Sequence, residues 1–228
     1  KAHAPASLQF HTGHIAEARP SMGAWISYGL GTQNENLPSF ITIHPPSGPR
    51  SYGASFLPAI HQGTPLRVPA NDRDPAISNL RDPSANLQIQ RRRLDFLQGV
   101  NQRLLNRVKT DAQMEGIIES FELAFRMQAE APGLVDLTGE SSETLDLYGI
   151  GDGPSDRNAR ACLLARRFSE SGVRFVQVTM GGWDHHGDIA AALPNSCRGI
   201  DKPIAGLIGD LKRRGLLEET LVVWSGEF

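Results

Sequence analysis

The chain has 228 residues, of which 39% are hydrophobic, and a formal net charge of −2 at pH 7. This length can bury one sizeable core, whereas the small negative charge gives no basis for binding nucleic acid or an anionic membrane surface. No stretch approaches the roughly 18 apolar residues of a membrane span.

The first third of the chain predicts few regular elements. Residues 1–13 form a short segment, and a Pro-Ser pair then predicts the start of a helix over about 21–29. The apolar run 40–44 predicts a strand. From about 45 to 86 the chain is rich in Pro, Gly, Ser and Asn, which indicates a long irregular excursion over the surface, of the kind that often gives specificity.

The rest of the chain alternates helices and strands. Apolar spacing predicts helices at about 87–108, 111–128, 156–171 and 198–214, a small helix ending near Gly149, and strands at 173–179 and 220–225. Right-handed crossovers make these two strands parallel, so their carboxyl ends face one crevice. The sequence predicts a single α/β domain over 1–228.

The most informative motif follows the strand at 173–179. It reads Trp-Asp-His-His-Gly and places Asp184, His185 and His186 at a strand end, and Glu227 follows the next strand. Carboxylate and imidazole groups are metal ligands at close quarters. The alternative is an ordinary polar loop with solvated histidines.

Several segments together resemble the domain-of-unknown-function 1501 family, a sulfatase-like branch of the alkaline phosphatase superfamily. The pieces that carry the resemblance are Gly182-Trp183-Asp184-His185-His186-Gly187 and Leu221-Val222-Val223-Trp224-Ser225-Gly226-Glu227-Phe228, with Pro20-Ser21-Met22-Gly23-Ala24-Trp25 and Leu145-Asp146-Leu147-Tyr148-Gly149. The resemblance spans nearly the whole chain. It implies a three-layer α/β/α sandwich with a mostly parallel sheet and metals at the strand ends.

The resemblance also implies a ligand set. Asp184 and His186 match the first metal-binding pair and Glu227 the second acid, while His185 occupies the variable position between the pair and ranks below them. The family continues past Gly-Glu-Phe with Gly-Arg-Thr and a later Asp-His-His segment, and both ends of this chain look cut. We therefore expect an incomplete domain that by itself binds metal weakly and is catalytically silent.

The amino-terminal segment is similar to the Cys-x-Pro-x-Arg motif of sulfatases, which closes on Thr-Gly. His3 stands where the nucleophile would be, and Ser7 where the arginine would be. Three interpretations of His3 stay open: a metal ligand, a covalent nucleophile, or a structural histidine in an inactive relative. Thr12 of the Thr-Gly pair and Arg19, which could bind an anion bidentately, are candidate substrate contacts or simply solvated polar residues.

The chemistry that these residues suit is hydrolysis of a phosphate or sulfate ester, a small anionic substrate, assisted by a divalent cation. Mixed Asp, Glu and His ligands favour Zn²⁺ or Mn²⁺ over Ca²⁺. The resemblance implies a secreted or periplasmic protein. The alternative is a non-catalytic secreted binding protein that retains the fold, and the nature of the group at the His3 position discriminates between the two.

Overall fold

The computed structural model describes residues 3–46, 48–68, 77, 80, 82, 84–108 and 111–226. The helices are α1 (His3–Thr12), α2 (Met22–Leu30), α3 (Leu87–Val108), α4 (Ala112–Val135), α5 (Ser142–Tyr148), α6 (Asp156–Glu170), α7 (Ile189–Arg198) and α8 (Asp201–Arg213). The strands are β1 (Phe40–Ile43), β2 (Thr64–Leu66) and β3 (Phe175–Val178). Within this described part, no helix is long and apolar enough to span a bilayer.

The three strands form a parallel sheet in the order β2-β1-β3. Ile41 of the central strand lies opposite Thr64 on one side and Val176 on the other. All four residues of β1 are buried, as expected for an apolar strand covered on both faces. After β1, the chain forms β2 on one side of it and, later, β3 on the other side. In α/β sheets, ligands bind where the strand order reverses in this way, in the crevice beyond the carboxyl ends of the strands, here β1 and β3.

One face of the sheet carries the aromatic residues and lies under α2. The rings of Phe40 and Phe175 stack edge to face with their centroids 5.2 Å apart. A Cβ atom on Gly23 of α2 would lie 2.6 Å from the Phe40 ring and 2.7 Å from the Phe175 ring. Only glycine therefore lets α2 pack this closely on the strands.

The other face carries the main aliphatic core. Ile41, Ile43 and Leu66 pack there with side chains from α4 and α6. The fully buried contributors from α6 include Leu164 and Phe168. Their helical spacing places them on one stripe, so α6 lies against β3 along its length.

A buried charge cluster joins α6 to α8 and the segment before α5. The Arg166 side chain is only 3% exposed and its Nε lies 3.0 Å from Asp210 Oδ2, while its Nη2 donates to Glu140 at 2.9 Å. The Tyr148 hydroxyl donates to Asp210 at 3.1 Å. Burial alone would raise the pKa of Asp210, but the hydrogen bond from Arg214 and the charge of Arg166 hold it below its ordinary value.

The predicted helices at 87–108 and 156–171 are confirmed within a residue or two. The predicted helix at 111–128 runs on to Val135 through Pro132, because its buried stripe, which includes fully buried Ala131, continues past the proline. The predicted helix at 198–214 corresponds to α8. A further helix, α7, which the sequence did not predict, precedes α8 and is separated from it by two residues. Residues 3–12 are a helix, where the sequence indicated only a short segment.

The strand predictions at 40–44 and 173–179 are confirmed, and their pairing makes the protein an α/β protein with a parallel sheet. The predicted strand at 220–225 is wrong. That segment forms no strand and pairs with no strand of the described part of the chain, and Leu221 is 90% exposed. A strand-like composition is insufficient because a strand needs a neighbouring edge to pair with. The irregular segment at about 45–86 contains β2 and short 3₁₀ turns. Within it, 47, 69–76, 78–79, 81 and 83 lie outside the described residues.

Candidate functional site

The Asp-His-His motif lies in the segment that connects β3 to α7. The backbone N–H of Thr179 donates to the Ile43 carbonyl at 3.0 Å, which fixes the start of this segment beside the end of β1. At its other end, the Asp188 carboxylate accepts from the Ala191 N–H and caps α7. The motif is therefore held at the carboxyl edge of the sheet, with its side chains facing solvent.

Asp184 is the centre of a three-residue cluster. Its carboxylate lies 3.0 Å from His3 Nε2 and 2.8 Å from His186 Nε2. The hydrogen bond from His186 is the main cause that lowers the pKa of Asp184, and the charges of His186 and His3 add to it. Asp184 is therefore ionised at neutral pH, and both imidazoles donate their Nε2–H to it.

The structure thus brings together three of the residues that the sequence singled out, although His3 and Asp184 are 181 positions apart. His185 is oriented differently, with its Nε2 3.2 Å from the hydroxyl of Ser196 on α7. Glu227 lies outside the described residues. We call the trio of His3, Asp184 and His186 the histidine–aspartate cluster.

The two candidate substrate contacts have local partners. The Thr12 hydroxyl donates at 2.7 Å to the carbonyl of Leu8, one turn earlier in α1. Arg19 Nη2 donates to Glu17 at 2.8 Å, and the arginine side chain is 48% exposed. Each would have to exchange its present partner to bind an anion.

The donor types of the histidine–aspartate cluster suit a divalent metal, since two imidazoles and one carboxylate are a common set for Zn²⁺ and related ions. As the side chains stand, however, their N–H groups are directed at the carboxylate. Among the residues that the structure describes, no three His, Cys, Asp or Glu side chains are disposed to hold a metal ion. Metal binding would require each imidazole to present a lone pair in place of the proton it now donates.

The residue that sequence reasoning missed is His44, the last position of the predicted strand at 40–44. It is 8% exposed, has φ of +52°, and its Nδ1 lies 3.2 Å from the Nη2 of Arg157. Burial, followed by the charges of Arg157 and Arg67, lowers its pKa to about 4. A histidine that ends a predicted central strand is the signal that could have indicated it.

The comparisons with known proteins identify a family. The family model described as "Protein of unknown function (DUF1501)" matches residues 1–228. No curated protein and no solved structure matches the chain. The description assigns no activity to the family. Because the match covers the full length of the sequence, the chain belongs to the DUF1501 family.

Proposed function

We propose that this chain belongs to a metal-dependent hydrolase of phosphate or sulfate esters, exported to the periplasm or the cell exterior and built on the three-layer α/β/α sandwich of the alkaline phosphatase superfamily. The observation that carries the proposal is the contact between His3 and Asp184 at the carboxyl edge of the sheet. Two distant parts of the sequence, each resembling part of a sulfatase site, meet there.

The histidine–aspartate cluster would hold the metal. Its two nitrogens already lie within 3.0 Å of the Asp184 carboxylate. Metal–ligand bonds of about 2 Å require these donors to separate only slightly. A divalent ion bound there would neutralise charge on the ester oxygens and lower the pKa of a bound water.

His3 also has a role that needs no metal. Asp184 accepts from His3 Nε2 and so fixes which ring nitrogen carries the proton. An aspartate has the same relation to the histidine of a hydrolytic triad, where it orients the imidazole and stabilises its charged form. In the neutral ring the lone pair of His3 is then on Nδ1. This atom could accept a proton from an attacking water, or attack the phosphorus or sulfur atom of the ester and displace its alcohol.

The test compares four variants of the full chain with wild type. Isothermal titration with Zn²⁺ and Mn²⁺ should show binding to wild type and its loss in Asp184→Asn, His186→Ala and His3→Ala. His185→Ala is the matched control, because His185 belongs to the same motif but contacts Ser196 instead of Asp184. Equal metal affinity in all five proteins would refute the metal site.

Turnover of p-nitrophenyl phosphate and p-nitrophenyl sulfate tests the reaction. We expect the full-length protein, loaded with metal, to hydrolyse one of the two esters and its His3→Ala variant to lose this activity. A second candidate function is a binding protein without catalysis. It is favoured by the fact that, in the described part of the chain, Asp184 bonds to two histidines and to no hydroxyl or thiol. Metal binding without turnover of either ester would select that function.

A further inference from the structure

We propose that the carboxyl end of β1 forms a second site, which binds a phosphate or sulfate group through His44, Arg157 and Arg67. It shares no residue with the histidine–aspartate cluster and does not depend on a metal there. The juxtaposition that carries it is a buried imidazole N–H, without a partner in the described part of the chain, on a ring that contacts the Arg157 guanidinium and lies beside the end of β2, which Arg67 follows.

The position of His44 is that of a ligand-binding residue. Its backbone N–H donates to the Leu66 carbonyl at 2.8 Å, which fixes it between the ends of β1 and β2. Its φ of +52° lies in the left-handed region that a non-glycine residue seldom adopts. Such backbone strain persists where surrounding structure enforces it, and it is common in binding sites.

The hydrogen bonding of His44 determines what it can bind. Arginine has only donors, so the Arg157 guanidinium at 3.2 Å requires Nδ1 of His44 to be the acceptor. The neutral ring must then carry its proton on Nε2. That atom is buried and has no hydrogen-bond partner among the residues that the structure describes. A buried donor without an acceptor is destabilising, so an acceptor at Nε2–H would stabilise the site. The proton on Nε2 prevents this atom from binding a metal.

The charges around His44 determine which acceptor would bind. Arg157 lies in the first turn of α6 and Arg67 directly follows β2, and both side chains are exposed. The helix start adds a partial positive charge. The nearby carboxylate of Asp156 is paired with Arg160 at 2.9 Å. An anionic group with several oxygens satisfies both guanidiniums and the Nε2–H, as phosphate and sulfate do.

The two arginines and His44 differ in solvent exposure, which indicates the order in which they would contact the anion. The guanidiniums are exposed, whereas the Nε2 atom is shielded from solvent. The arginines would therefore contact the anion first, and His44 would reach it after a small movement of its ring or of the residues above it.

Calorimetric titration with inorganic phosphate, and separately with sulfate, tests the site. Arg157→Gln and His44→Phe should each weaken binding roughly tenfold or more, the loss expected for a charged or buried hydrogen bond. Arg103→Gln is the control, because Arg103 is an exposed arginine on α3 whose Nε donates only locally, to the Gly99 carbonyl, and it should bind as wild type does. The relative affinities for phosphate and sulfate would identify the preferred group.

Three results would overturn the proposal: no binding of either anion to wild type at millimolar concentration, equal affinity in Arg157→Gln and wild type, or a loss that occurs only in Asp184→Asn. The last result would place the anion at the histidine–aspartate cluster. Zn²⁺ titration of Arg157→Gln should match wild type, which separates this site from the proposed metal site. If His44→Phe does not fold, Arg157→Gln decides the matter because its side chain is exposed.

Discussion

Replacing Arg166 by methionine should destabilise the protein strongly. The guanidinium is 3% exposed and contacts three carboxylates, those of Asp210, Glu140 and Glu170, at 2.7–3.0 Å. Removing one partner from a buried ion pair typically lowers the free energy of unfolding by 3–5 kcal/mol, because a charge is left without compensation. Asp210 keeps its hydrogen bond from Arg214 at 3.0 Å, so we expect the low end, about 3 kcal/mol.

Urea unfolding followed by circular dichroism would measure this change at pH 7. Arg213→Met is the control, because Arg213 also contacts Asp210, at 3.2 Å, but is 45% exposed. Its removal should change the free energy of unfolding by less than about 1 kcal/mol. The double variant Arg166→Met/Asp210→Asn should recover part of the loss, since it removes the uncompensated carboxylate. If Arg166→Met were no more destabilising than Arg213→Met, the buried cluster would not contribute as its geometry indicates.

Two further predictions concern other buried groups. His44 takes up its proton near pH 4 in the folded state but near 6.5 when unfolded, so the unfolded state binds more protons between these values. His44 should therefore lower the free energy of unfolding by about 3 kcal/mol as the pH drops from 7 to below 4. Urea unfolding across that range should show a weaker pH dependence of stability in His44→Gln than in wild type. The same pH dependence in both proteins would contradict the lowered pKa of His44. Burial raises the pKa of the Cys162 thiol to about 12, whereas the Cys197 side chain is partly exposed. Iodoacetamide at pH 8 should therefore alkylate only Cys197 in the native protein, as mass spectrometry would detect. Labelling of both thiols at similar rates would show that Cys162 is accessible.

The elements that the sequence predicted well are those with a strong local pattern. The apolar stripe of α6 and the β-branched run of β1 bury one face or both, so their composition reflects their surroundings. β2 is only three residues long and includes a proline, which leaves no period to detect. α1 buries only Leu8, so it has no stripe either. The segment 220–225 shows the converse, because its strand-like residues remain unpaired.

The contacts of the candidate sites likewise differ in whether they are local or distant in the sequence. Asp184 and His186 belong to one short motif, which the sequence singles out as candidate metal ligands, and their contact spans only two positions. The role of His3 came from resemblance, and its contact with Asp184 depends on the tertiary fold. The partnership of His44 with Arg157 joins residues 113 positions apart and has no local signature. Long-range pairings of this kind are determined by topology, which the pattern of a single sequence specifies weakly.

The contact between His3 and Asp184 in the histidine–aspartate cluster closes a loop of 181 residues. In a polymer description, closing such a loop is opposed by an entropy term of about 5 kcal/mol. α1 otherwise packs mainly on the short turn Pro49–Ser51. A ligand that bound both His3 and Asp184 would therefore act as a non-covalent cross-link, comparable in effect to a disulfide between distant positions. At one hundred times its dissociation constant it would add about 2.7 kcal/mol to stability, and it would protect α1 from proteases as long as it stayed bound.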